Sequence, residues 1–176
     1  MTQLIDPHKF TNAVTALRSF FLPKGFVEVH TQNRLSILAA CEDPTTVATY
    51  NYAGEVWPLP QTGQMWLEYE LLRDPFASGF FCVSTSYRQE PNIIEGRHDL
   101  IFPMFEFEFP GDINDLEVME RELVEYLGWN EEVAVKEYNE WCEFFGVEEL
   151  THDHEKQMIS PSMIRISPMK HPLSGI

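Results

Sequence analysis

Arg88 and Glu90 lie in Ser84-Thr85-Ser86-Tyr87-Arg88-Gln89-Glu90, and Phe102 and Glu106 lie in the stretch running from Arg97-His98 to Met104-Phe105-Glu106. Both stretches read as extended chain, hinged at Pro91-Asn92 and Gly96. Side chains alternate faces along a strand. Ser84, Ser86, Arg88 and Glu90 therefore share one face, as do Phe102, Met104, Glu106 and Glu108. If the two strands pair with these faces aligned, an arginine, a phenyl ring and two carboxylates converge. A guanidinium grips a phosphate through two parallel hydrogen bonds, which an ammonium cannot do. A phenyl ring offers a stacking surface to a base, and carboxylates accept from amines. These are the parts needed to hold a nucleoside triphosphate beside an amino acid. The same spacing also fits a half-solvated sheet with an ordinary cross-strand Arg–Glu pair.

The elements that must position these residues are legible from local signals. Asp6-Pro7 reads as an N-cap and a first-turn proline. Phe10, Val14, Leu17 and Phe21 then fall on one helical face, until Pro23-Lys24-Gly25 ends the helix. Phe26 to His30 reads as a strand. Residues 44–63 read as short strands and loops, and Gln64 to Arg73 as a helix with a wide apolar face. Phe80–Glu90 and Leu100–Phe109 are the two strands of the opening pattern, forming a long-looped antiparallel hairpin. Asp112 to Leu127 is amphipathic through Leu116, Met119, Leu123 and Leu127, with Gly128 as its stop. Asn130 is read as the cap of a further helix carrying Val133, Tyr138, Trp141 and Phe145, broken at Gly146. Periodicity fails after Glu155.

Composition bounds the alternatives. The 176 residues suffice for one domain with a real core, and 44% hydrophobic and 13% aromatic content exclude disorder. A formal charge of −16 argues against binding a phosphate backbone through a bulk positive field, so any nucleic-acid contact would be local. Three cysteines, Cys41, Cys82 and Cys142, show no paired spacing, and no disulfide framework is expected. Cys82 and Cys142 sit in apolar stretches and read as core filler. Neither a signal peptide nor an apolar run of membrane-spanning length is visible, and the expected compartment is the cytoplasm. His152-Asp153-His154-Glu155 holds metal-ligand residue types, but four adjacent polar residues ahead of a loose tail are read as solvated. Nothing distinguishes Asp99 and Glu95 from surface carboxylates. No Ser-His-Asp order, P-loop or dinucleotide glycine pattern is present.

Tyr-Arg-Gln-Glu, the loop, and Arg-His-x-x-x-Phe-x-x-x-Glu together resemble the second signature motif of class II aminoacyl-tRNA synthetases, in the subgroup charging aspartate, asparagine and lysine. Lys24 to Thr31 is similar to the first family motif, a helix and strand at a homodimer interface. Thr62-Gly63-Gln64-Met65-Trp66-Leu67 is similar to the segment whose glutamine touches the bound amino acid. Cys41-Glu42 is similar to an acidic stretch of asparaginyl-type members. The resemblance spans roughly residues 8–127.

It implies that Arg88 holds the ATP α-phosphate as the catalytic arginine, and that Glu90 lies at the adenine and amino-acid end. It further implies that Arg97 and His98 contact the outer phosphates, that Phe102 stacks on adenine, and that Gln64 and Glu106 face the amino acid. The substrates implied are ATP and a small amino acid, aspartate or asparagine. Mg2+ is implied too, with no identifiable ligands. A homodimer is expected, and tRNA stands as an acceptor that the charge does not support.

The chain departs from the pattern at Gln32, where the first motif ends in proline. The Gly-x-Gly-x-Gly-x-Glu-Arg third motif occurs nowhere in the 176 residues, and no N-terminal anticodon-binding barrel is seen. The expected fold is α+β, an antiparallel sheet flanked by helices, with the C-terminal part of the synthetase core missing. Residues 1–150 form the partial catalytic domain and 151–176 an irregular tail. The expected function is amino-acid activation by adenylate formation. Two alternatives stay open: a stand-alone asparagine synthetase-like ligase with a non-tRNA acceptor, and a non-catalytic binding or regulatory module.

Overall fold

A computed structural model describes residues 4–31, 44–95, 98–129 and 137–158. It divides into two compact units, one up to Glu117 and the other from Val118 onward.

The first unit opens with helix α1, Pro7–Phe21, whose start is set by Asp6. The Asp6 carboxylate accepts the His8 and Lys9 amides at 2.8 and 3.0 Å, satisfying donors that have no partner within the helix. A 3-10 turn, Leu22–Lys24, follows, and Gly25 closes it in the left-handed region at φ 85°. The expected strand after this turn is only two residues long, β1 (Val27–Glu28). A hairpin of β2 (Thr49–Tyr52) and β3 (Glu55–Pro58) forms a separate two-stranded sheet. Ala53 and Gly54, both at positive φ, make its turn. Helix α2 spans Gln64–Arg73, as its apolar pattern predicts.

The main sheet has the order β1-β4-β5, with β4 (Phe80–Tyr87) at its centre and β5 (Ile101–Glu108) antiparallel to it. β1 pairs with β4 in parallel, Val27 opposite Phe80, a pairing that local sequence does not announce. β5 is an edge strand, which accommodates Pro103 without a broken ladder in the middle of the sheet.

The two faces of the β4–β5 pair are unlike. On one, Phe81, Phe105 and Phe107 surround Phe21, whose ring centre lies 5.9, 5.4 and 4.7 Å from theirs. Phe21 and Phe81 are fully buried, each contributing roughly 1.5–3 kcal/mol of transfer free energy. On the other face, Phe80 and Cys82 pack against Leu67 of α2 at one end of the strands. The opposite end of this second face is polar.

The second unit begins within α3 (Ile113–Tyr126), which Gly128 stops at φ 90°. Helix α4 (Tyr138–Phe145) ends at Gly146 in the left-handed region. The tail, expected to be irregular from residue 151, is instead helical over α5 (His152–Met158). The cause is local. Thr151 starts the helix by donating its amide to His154 Nδ1 at 3.0 Å, and the His154 ring lies 5.1 Å from Phe145 of α4. Leu150 is tied to the Tyr138 hydroxyl. Asn130 and Val133 lie outside the described residues. Among the described residues no helix is long and apolar enough to cross a membrane.

Candidate active-site face

β4 and β5 pair so that Ser86 lies opposite Phe102, Ser84 opposite Met104, and Cys82 opposite Glu106. Directly paired residues share a face, so the alignment required for convergence is the observed one. Arg88 follows β4 directly. Its amide bonds to Leu100 C=O at 2.8 Å, which carries the ladder one step beyond the strands. Phe102 and Glu106 lie on this face and Arg88 just beyond its β4 end; these three and Glu90, which stands three residues past β4, are half-buried.

The Arg88 side chain is anchored at its root. Nε donates to Ser86 Oγ at 3.1 Å, and Ser86, fully buried, donates to Gln61 C=O at 2.7 Å. Gln61 Nε2 in turn donates to Thr46 Oγ1 at 2.7 Å.

Glu106 is caged by the chain's own donors. Thr62 Oγ1 donates to Oε1 in a short hydrogen bond. Oε2 accepts from the Gly63 amide at 2.7 Å and from Ser84 Oγ at 2.9 Å, with Cys82 Sγ at 3.9 Å. The carboxylate thus pins the start of α2 to β5. Gly63 is required there by space: a Cβ would sit 2.5 Å from Cys82 Sγ and 3.1 Å from Glu106 Oε2. Burial, reinforced by the Glu106 charge, pushes the Cys82 thiol up to about 12. It is a protonated core group, as its apolar context predicts, and no thiolate nucleophile.

Gln64 is exposed at the first turn of α2, and its side chain bonds to Glu108. Burial raises the Glu108 carboxyl above its ordinary range, the Gln64 bond opposing that shift and the nearby Glu68 and Glu106 charges adding to it. His98 lies back along the loop, its Nδ1 accepting the Ile94 amide at 3.3 Å. Arg97, Gly96, Gln32, Cys41 and Glu42 lie outside the described residues.

Sequence reading placed Ser84 and Ser86 on the right face and gave them no role. Thr46, Gln61 and Thr62 were missed, because their partners are 15 to 44 residues away. Among the described residues no group of three or more His, Cys, Asp or Glu side chains is arranged to hold a metal ion. His154 of the candidate metal cluster spends its Nδ1 on Thr151.

No protein-family model matches the chain, and no curated protein matches its sequence. Solved structures do. An asparaginyl-tRNA synthetase from Pyrococcus horikoshii, complexed with asparaginyl-adenylate, matches 64% of this chain at 26% identity and a TM-score of 0.56. That of Entamoeba histolytica, also with asparaginyl-adenylate, matches 84% at 17% identity and a TM-score of 0.57. The chain covers 25% and 39% of these two proteins. Its core has the α+β fold of the class II aminoacyl-tRNA synthetases.

Proposed function

We propose that this chain activates a small amino acid with ATP, forming an aminoacyl-adenylate and pyrophosphate. The observation that carries the reading is the single β4–β5 face on which Phe102 lies opposite Ser86, one step from the anchored Arg88. The asparaginyl-adenylate bound in the two similar proteins supports it, and asparagine or aspartate is the substrate this reading favours.

In this reading the amino-acid carboxylate oxygen attacks the α-phosphorus as the bond to pyrophosphate breaks. Arg88 neutralises charge building on the α-phosphate, and Phe102 holds the adenine by stacking. Catalysis is then positioning and electrostatic stabilisation, with no covalent enzyme intermediate. By the family resemblance Glu90 would serve the adenine and amino-acid end, and Arg97 and His98 the outer phosphates. A carboxylate offers about four acceptor sites, so Glu106 can take an ammonium on Oε1 beside Thr62, with Gln64 and Glu108 next to it. Mg2+, when bound with ATP, would screen the phosphates; among the described side chains none form a ready cage for it. Homodimerisation through α1 and β1 fits the position of β1 at the sheet edge, where Val27 is exposed.

The test is amino-acid-dependent pyrophosphate exchange by the 176-residue chain. Exchange is expected with asparagine or aspartate, and Arg88→Ala should lower it about 100-fold or more. ATP binding unchanged in that variant would sink the site. ATP binding without exchange on any amino acid would favour a binding module, whereas adenylate transfer to a small amine rather than tRNA would favour the stand-alone ligase.

A further inference from the structure

We infer that Ser86 is a positioning residue that fixes the orientation of the Arg88 guanidinium from a buried relay through Gln61 and Thr46; this rests on the phosphate-binding reading of Arg88. A hydroxyl has one proton and two lone pairs. The Ser86 proton is directed at Gln61 C=O (2.7 Å), which turns a lone pair toward Arg88 Nε (3.1 Å). The direction of the Nε bond is therefore set by groups that solvent does not reach, since Ser86 and Gln61 are both fully buried.

The backbone is held as tightly. Tyr87 N bonds to Pro60 O at 2.9 Å, Arg88 N to Leu100 O at 2.8 Å, and Gln89 N to Thr46 O at 2.8 Å. Successive residues are thus fastened to opposite sides, and Thr46 serves both the backbone and the Gln61 side chain.

Gln61 carries the second indication. Among the described residues its buried Oε1 has no hydrogen-bond partner, an arrangement that costs free energy. An apolar residue could fill this space with no such cost. The side-chain Nε2 fastens residue 61 to Thr46, while the main-chain carbonyl of the same residue accepts from Ser86. A guanidinium preoriented in this way loses less freedom on meeting a phosphate.

The experiment compares binding of ATP and of adenosine, which lacks the phosphates, to the 176-residue chain and its variants by calorimetry. Ser86→Ala should weaken ATP about tenfold, the cost of ordering one long side chain that is no longer preoriented, and leave adenosine unchanged. Ser86→Thr, which keeps the hydroxyl, should restore ATP. If Ser86→Ala does not fold, Ser86→Cys keeps nearly the same volume with a much weaker acceptor, and the same selective loss is expected. Equal weakening of ATP and adenosine would show a merely structural serine and overturn the inference. Wild-type ATP affinity in the serine variants, with ATP lost in Arg88→Ala, would also overturn it while leaving Arg88 as the phosphate residue. Unchanged ATP binding in Arg88→Ala would bring down the underlying reading, and the relay with it.

Discussion

Burial shifts two side chains of the candidate face, on neighbouring strands, in the same direction. Cys82 is kept as a thiol, its folded value pushed up to about 12 against an ordinary 9.0. Between these values the folded state holds more protons than the unfolded state, so stability must fall as pH rises from 9 toward 12. Cys82→Ala should remove that part of the alkaline slope in urea melts, at the cost of a small cavity. A thiol reagent at pH 8 should label Cys82 only after unfolding, and rapid labelling of the native chain would contradict the burial. Glu108 is also raised, with burial as the leading cause. Its contribution to stability is complete below the ordinary carboxyl range and is lost as pH climbs through the raised folded value. Glu108→Gln should therefore stabilise the chain at pH 7, by less than about 1 kcal/mol because the group is half-buried and partly screened, and the gain should vanish by pH 4. A gain that persists at pH 4 would assign the effect to packing.

At the scale of elements, the Glu106 cage is what joins α2 to the sheet. Gly63→Ala would drive a methyl against Cys82 Sγ and Glu106 Oε2, and overpacking of this kind costs about 1–3 kcal/mol. Adding Cys82→Ala should recover part of the loss, a coupling that a double-mutant cycle in urea would measure; strict additivity would place the strain elsewhere. Helix α1 and the β4–β5 faces were legible in sequence because their signals are local. Asp6-Pro7 and Gly25 mark the ends of α1, and period two sorts Phe81, Phe105 and Phe107 from Ser84, Ser86 and Glu106. The parallel pairing of β1 with β4 was not legible, since it joins residues 53 apart with no turn to announce it. Helix α5 escaped because its residues, mostly polar, carry no apolar stripe, and its stability comes from Thr151 and the contact of His154 with Phe145. The donors around Glu106 were invisible for the same reason as β1: only folding brings Thr62 and Ser84 to it.

At the scale of the whole molecule, the proposed nucleotide site has to work against a formal charge of −16. Two forces with different reach oppose each other. Repulsion between the acidic surface and an incoming polyphosphate extends over the Debye length, about 30 Å at 0.01 M salt and about 8 Å at 0.15 M. The proposed grip of Arg88 on a phosphate would act at hydrogen-bond distance and be far less screened. Raising salt from about 0.01 to 0.15 M should therefore stabilise the fold by relieving self-repulsion, and ATP affinity should hold or rise over that range. A generic RNA has no such local grip along most of its length, so it should not be retained at either salt concentration in a gel-shift measurement. A basic nucleic-acid binder shows the reverse, with affinity falling steeply as salt releases its counterions. If ATP affinity instead dropped severalfold over this range, binding would be governed by a diffuse positive field, and the local grip proposed for Arg88 would be refuted.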